Sequence, residues 1–521
     1  MRGSQAASSR HFVVLGRIAS EALQGLDSHA IVVEADVTAA APAFSIVGLP
    51  DAAVQESRER VRAAIVNSGY EFPSRRVTVN LAPADLRKEG PSFDLPIALA
   101  FLAATGQARA RLGQAAVVGE LGLDGRLRAV PGVLAIAQSA RRRGLSSLVV
   151  PRDNAREAGL VTGLRVLPAD TLREAVGVLE GRLAPVCDDV DAEAWLRHGD
   201  HPDVDLADVI GQQRIKRALE VAVAGAHNVL MVGPPGSGKT MLARRLPTIM
   251  PPLSRAEAID VTRIYSVAGL LPVEVPLITR RPFRAPHHTI SVPGLVGGGS
   301  SPRPGEVSLA HLGVLFLDEF PEFRVSALEG LRQPLEDGEV TISRALTSLT
   351  FPARIMLVAA MNACPCGFLG DRERECTCPA HRVSQYVARL SGPLLDRIDL
   401  RVDVARVAPR DRRTADGGEP SAAVRARVAR ARERQRRRLG GCTGAANGHL
   451  SAPQVRRLCR LDREAVDLLD QAYERLRLSA RACDRMVKVA QTIADLDGSP
   501  SITGTHIAES LSYRVCEVVP R

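Results

Sequence analysis

Apolar and polar residues alternate at every second position through "AIVVEADV" (30–37) and "RRVTVNLA" (75–82), and "SSLVVP" (146–151) is a short apolar run. These stretches predict strands. Beside them, "DAAVQESRERVRAAIVNSG" (51–69) and "VLAIAQSARRRG" (133–144) space their apolar residues three and four apart, as a helix with one buried face does. Strand-like and helix-like runs mix in this way up to about Gly181, so residues 1–185 predict a mixed α/β domain.

Periodicity then fails. Residues 186–205, "VCDDVDAEAWLRHGDHPDVD", are acidic and irregular and predict a linker. A βα pattern returns over 206–408, and "APRDRRTADGGEP" breaks it, so 409–420 is a second linker. Residues 421–521 predict helices separated by turns at "GGCTGAANG" and "DGSP". No internal repeat is evident. No apolar run approaches the roughly 20 residues of a membrane span, which points to a soluble, cytoplasmic protein without a membrane partner.

The middle region carries the chemistry. "NVLMVGPPGSGKTMLARRL" places an apolar strand before Gly233-Pro234-Pro235-Gly236-Ser237-Gly238-Lys239-Thr240 and a helix after it, the context a P-loop requires. Its glycines allow backbone N–H groups to face phosphates, Lys239 reaches β and γ oxygens, and the Thr240 hydroxyl ligates Mg2+. Met241, with Ile210 and Gly211 upstream, completes the candidate nucleotide-binding set. "GVLFLDEF" is a buried-strand run that ends in Asp318, a candidate Mg2+ ligand, and Glu319, a candidate general base. "IMLVAAMN" ends similarly at Asn362, placed to orient water near the γ-phosphate. Arg397 in "LSGPLLDRIDL" is either a finger into a neighbouring site or a partner of Asp396 or Asp399. Arg481 begins an amphipathic helix that could reach the nucleotide from a lid.

Charge adds a partner. The net charge is +10, almost all of it from arginine, because the only lysines are Lys88, Lys216, Lys239 and Lys488. An anionic partner follows, nucleic acid first. Aromatics are only 3% of residues, which argues against base stacking and for a sequence-nonspecific grip on phosphates. Candidate DNA contacts are Arg280, Arg281, Arg284, His287 and His288 in a glycine-flanked insert, and Arg344 between two short strand-like runs. The arginine-rich run 423–438 is weaker evidence, because such a helix usually presents a solvated face. Of nine cysteines, Cys364, Cys366, Cys376 and Cys378 crowd together, which is not the pattern of a disulfide-stapled domain and favours a structural Zn2+ site over four free thiols, with His381 in reserve.

Taken together, "VNLAPADLRKEGPSFDLPIA", "RPFRAPHHTISVPGLVGGG", "PGEVSLAHLGVLFLDEFPEF", "LRQPLEDGEVTISRA", "NACPCG" and "LSGPLLDRIDL" resemble the magnesium-chelatase-like AAA+ ATPases, in the subfamily of bacterial competence proteins. The resemblance implies an α/β fold with three parts. These are a Lon-protease-like amino domain of the ribosomal S5 domain 2 type, an AAA+ P-loop core with a parallel sheet, and an all-helical carboxyl-terminal lid. It also implies a homohexamer that uses ATP and Mg2+ to move on branched or single-stranded DNA, as a helicase that drives branch migration during recombination in natural transformation. Asn362 matches sensor 1, Arg397 the arginine finger and Arg481 the sensor 2 arginine. Ala363 departs from the proline expected in many relatives.

Ser92 in "KEGPSFDLPIA" resembles the Lon serine, yet Leu134 occupies the matching lysine position and no lysine lies between Lys88 and Lys216. A serine without a base is a weak nucleophile, so the amino domain is expected to be a scaffold or a DNA-facing collar. Rival expectations are a metal-inserting chelatase subunit, a Lon-like ATP-dependent protease, and a DNA-bound scaffold whose ATP site only sets assembly. No Asp-x-Ser-x-Ser metal-adhesion motif favours the first.

Overall fold

The computed structural model describes residues 15–109, 115–184, 190–197, 204–299, 302–343, 348–371, 373–406, 418–441 and 446–514. The chain divides into two units, Met1–Arg197 with Thr262–Ile278, and His198–Val261 with Thr279–Arg521. The division departs from the sequence expectation twice. A short helix, Ala192–Arg197, stands within the supposed linker, and Thr262–Ile278 groups with the amino-terminal unit although it lies inside the 206–408 segment. Buried Glu157 shows why: its carboxylate accepts from Ser266 Oγ at 2.6 Å, from Asn154 Nδ2 at 2.7 Å and from the Leu134 N–H at 3.3 Å.

In the first unit, strands β1 (Gly16–Gln24), β2 (Asp27–Thr38), β3 (Ala43–Val47), β4 (Arg76–Ala82), β5 (Ala115–Val117), β6 (Ser147–Pro151) and β7 (Arg165–Ala169) form one sheet. Its order is β3-β4-β2-β1-β5-β6-β7, antiparallel at β1–β2 and β2–β4 and parallel elsewhere. Asp51 caps the helix α1 (Ala52–Asn67) by accepting from the Val54 N–H at 2.8 Å, and Val54, Val61, Ala64 and Ile65 are its buried stripe. The next helix, α2 (Asp94–Ala104), is apolar all round because it is enclosed, with Leu95, Ile97, Leu99, Phe101 and Leu102 in the core. Glycine is required at Gly16, where a Cβ would stand 2.0 Å from the Ala100 carbonyl oxygen.

Two positions named in the sequence comparison with Lon are enclosed in this unit. Leu134 is fully buried in the helix α3 (Val133–Arg142). Lys88 is fully buried too, and its ammonium donates to the Pro83 carbonyl.

In the second unit, β8 (Val229–Val232), β9 (Phe283–Arg284), β10 (Val314–Leu317), β11 (Met356–Met361) and β12 (Leu400–Asp403) form an all-parallel sheet in the order β9-β10-β11-β8-β12. β8, β10 and β11 are buried along their whole length, which is why their sequences read as unbroken apolar runs. Because they are parallel, their carboxyl ends deliver Gly233, Asp318 and Asn362 to one edge.

The residues after 420 form helices α4 (Ser421–Arg438), α5 (Ala452–Leu458), α6 (Arg463–Leu476), α7 (Ala480–Asp497) and α8 (Gly504–Ser512). The arginine-rich α4 is a clamp rather than a solvated face. Val424, Val428 and Ala431 are buried, Gln435 Nε2 donates to the Ala224 carbonyl, and Arg432 donates to that of Val223 at 2.9 Å. Burial pulls the pKa of Arg432 down to about 9.

Candidate active site

The P-loop closes tightly over β8. A Cβ on Gly233 would lie 2.2 Å from the Val404 carbonyl oxygen, so only glycine lets the chain leave the strand there. Lys239 opens the helix Lys239–Ile249, and its ammonium donates to the carbonyls of Gly233 (2.7 Å) and Pro234 (3.0 Å) and to Asn362 Oδ1 (3.2 Å). Lys239 and Asn362 therefore address the same point. Burial lowers the pKa of Lys239, against the opposing pull of Asp318. Gln212, two residues beyond Ile210 and next to Gly211, ties the upstream segment to the loop by donating from Nε2 to the Ser237 (2.9 Å) and Ala405 (3.0 Å) carbonyls. Sequence reasoning missed Gln212, because no motif marks it.

At the end of β10, Asp318 Oδ2 accepts from the Thr240 hydroxyl at 2.7 Å. Two hard oxygens side by side at a P-loop fit a Mg2+ ion bound with nucleotide phosphates. Glu319 stands at φ 52°, a left-handed conformation that non-glycine residues adopt chiefly where function or packing imposes it. Its carboxylate is 59% exposed, and Oε2 lies 3.1 Å from His288 Nδ1. A residue expected at DNA thus touches the candidate base.

The two arginines lie elsewhere. Arg397 follows the short helix Gly392–Leu395 and donates to the Pro393 carbonyl at 2.7 Å and to Glu336, not to Asp396 or Asp399. Its buried Nε has no acceptor among the described residues. Exposed Arg481, on α7, lines the same cavity of ≈ 850 Å³ as Arg397, together with Arg332, Arg485, Lys488 and Glu336. None of residues 233–240 lines that cavity.

Three family descriptions match the chain in order. Subunit ChlI of Mg-chelatase covers residues 33–154, magnesium chelatase subunit ChlI covers 205–412, and the carboxyl-terminal part of that subunit covers 418–514. The protein YifB of Escherichia coli strain K12 is 44% identical over 508 residues, 96% of this chain and 97% of its own. The competence protein ComM of Haemophilus influenzae is 44% identical over 506 residues, again 96% and 97%. The chain belongs to the ComM/YifB subfamily of the magnesium-chelatase family. A Lon protease of Mycolicibacterium smegmatis is 27% identical over 172 residues, 32% of this chain and 21% of that protein. Membership brings the AAA+ class, whose members typically hydrolyse ATP with Mg2+.

In this ComM/YifB chain the arginine-rich insert is only partly available to a ligand. Arg280 and His287 are exposed. Arg281 is not a free phosphate contact: it donates to the carbonyls of Pro251 (2.6 Å) and Leu312 (2.8 Å) and pairs with Glu257, and burial lowers its pKa. Arg284 is committed to Glu306 through two bonds of 2.6 and 2.7 Å. Strands Glu339–Ser343 and Ser348–Pro352 pair antiparallel, as expected for a hairpin, while Arg344 lies outside the described residues.

The four clustered cysteines converge. Their sulfurs all lie within 4.8 Å of one another. No described helix of this ComM/YifB chain is long and apolar enough to cross a membrane.

Proposed function

We propose that this protein is an AAA+ ATPase that assembles as a homohexameric ring and drives branch migration of recombining DNA. The observation that carries the proposal is a separation: Lys239, Thr240, Asp318 and Asn362 meet at one sheet edge, while Arg397 and Arg481 share a cavity that excludes the P-loop. A site with its fingers elsewhere is completed by a second copy, and a head-to-tail interface whose rotation closes on itself makes a ring. Arg481 is thereby assigned to the neighbour's nucleotide along with Arg397.

In this mechanism Lys239 holds the β and γ oxygens, Asn362 and Glu319 orient the attacking water, and Glu319 takes its proton. Thr240 and Asp318 would hold Mg2+, which when bound would neutralise charge at the phosphates. The amino-terminal unit is a Lon-like scaffold with no proteolytic role, residues 206–408 are the motor core, and 421–521 are the lid. Four thiolates supply a Zn2+ site in the core.

DNA enters through charge. Arg280, His287 and the Arg344 hairpin grip phosphates, and His288 on the same insert reports to Glu319 at 3.1 Å. A strand that shifts the insert therefore releases the base. The relative named competence protein supports DNA taken up in transformation as the substrate.

The test is turnover with three candidate activators. A four-way DNA junction should raise ATP hydrolysis about tenfold or more, and raising salt should weaken that stimulation steeply with little dependence on sequence. Stimulation by a porphyrin would indicate a chelatase subunit, and cleavage of casein a protease. Either result without stimulation by DNA removes the motor proposal.

A further inference from the structure

We infer that the zinc held by Cys364, Cys366, Cys376 and Cys378 braces the ATP site, so that metal loading sets nucleotide affinity and turnover. The inference rests on the ATP-site assignment above. Sulfur separations of 3.3 Å (Cys364–Cys366), 3.5 Å (Cys364–Cys376) and 3.6 Å (Cys366–Cys376) are far longer than the ~2.05 Å of a disulfide. They approach the S···S edge of about 3.8 Å in a tetrahedron with Zn–S near 2.3 Å. Backbone N–H groups of Leu369 and Cys378 donate to the Cys364 and Cys376 sulfurs, each at 3.4 Å, which stabilises thiolate charge.

The loop closed by these cysteines is held to the core at few buried points among the described residues, and Arg406 supplies an ion pair to Asp371 there. Pro365, Leu369, Gly370 and most described residues from 373 to 379 are exposed, so burial alone cannot offset the entropy of ordering them. Yet the loop abuts the catalytic residues. Asn362 stands two positions before Cys364, and a Cβ on Gly367 would lie 2.7 Å from Pro235 Cδ of the P-loop. Arg406 joins the two sides, donating to the Pro235 carbonyl and to Glu373, both at 3.3 Å, and it lies over the Phe368 ring at 5.8 Å. Clipping the loop therefore positions both the P-loop and the Asn362 amide that meets Lys239. The cysteines are positioning residues for ATP.

Elemental analysis of the full-length protein should give roughly one zinc per chain. A chelator, followed by excess Mg2+, should remove the zinc and weaken binding of a fluorescent ATP analogue about tenfold, with turnover falling at least as far. Zinc, but not further Mg2+, should restore both, with the far-ultraviolet circular dichroism unchanged throughout. Cys376→Ser with Cys378→Ser should reproduce the loss, and Cys483→Ser, outside the cluster, should keep the metal. Zinc-free wild type, or unchanged nucleotide affinity after zinc removal, would overturn the inference, as would global unfolding on chelation. Zinc-dependent nucleotide affinity in a protein that never turns over would leave the inference standing and remove the ATPase assignment.

Discussion

Glu319→Gln lowers ATP turnover by about 100-fold or more while leaving ATP binding and assembly intact. The change alters the carboxylate and its contact with His288 but spares the nucleotide grip, because Lys239 keeps its bonds to Gly233, Pro234 and Asn362, and Thr240 keeps Asp318. Without the carboxylate the attacking water loses its proton acceptor, and bound ATP persists. Single-turnover hydrolysis measured beside equilibrium nucleotide binding separates the two effects. Turnover near the wild-type rate would remove Glu319 from the mechanism.

The second large effect concerns the interface. Arg397→Ala and Lys239→Ala should each abolish turnover alone, and a mixture should regain activity. At equal proportions, roughly a quarter of interfaces in a randomly mixed ring pair an intact P-loop with an intact finger. The Glu336 pair would then be the resting partner of Arg397 within one chain, exchanged for phosphate at a neighbour. Arg481→Ala mixed with Lys239→Ala should recover in the same way, because Arg481 lines the same cavity. Failure to recover at any ratio would place these arginines on their own subunit's nucleotide.

The P-loop, Asp318, Glu319 and Asn362 were legible in the sequence for a physical reason. Buried parallel strands are apolar on both faces, so each ends visibly where a polar ligand-binding residue begins, and parallel pairing brings those ends together. The arginines were less legible. Periodicity shows that Arg481 starts a helix but not which side of the core that helix meets, which depends on tertiary contacts such as Arg438 with Asp495 and His227 with Thr492.

Arg281 misled for a related reason. A guanidinium bonded to the carbonyls of Pro251 and Leu312 has the same sequence signature as one awaiting a phosphate. The proximity of His288 to Glu319 was not legible, since it depends on the path of the insert beside β10, which no local pattern encodes. Thr262–Ile278 is tied into the amino-terminal unit by long-range bonds such as Ser266 Oγ to buried Glu157 and the Gly132 N–H to the Ser266 carbonyl. Such pairs leave no periodic trace.

The most direct test of the central claim is migration of a synthetic four-way junction with a mobile core, followed by gel electrophoresis. The protein with ATP and Mg2+ should convert the junction to duplex products, and a non-hydrolysable ATP analogue should allow binding without conversion. Junctions left intact at every protein concentration, or products formed equally well without hydrolysis, would contradict it.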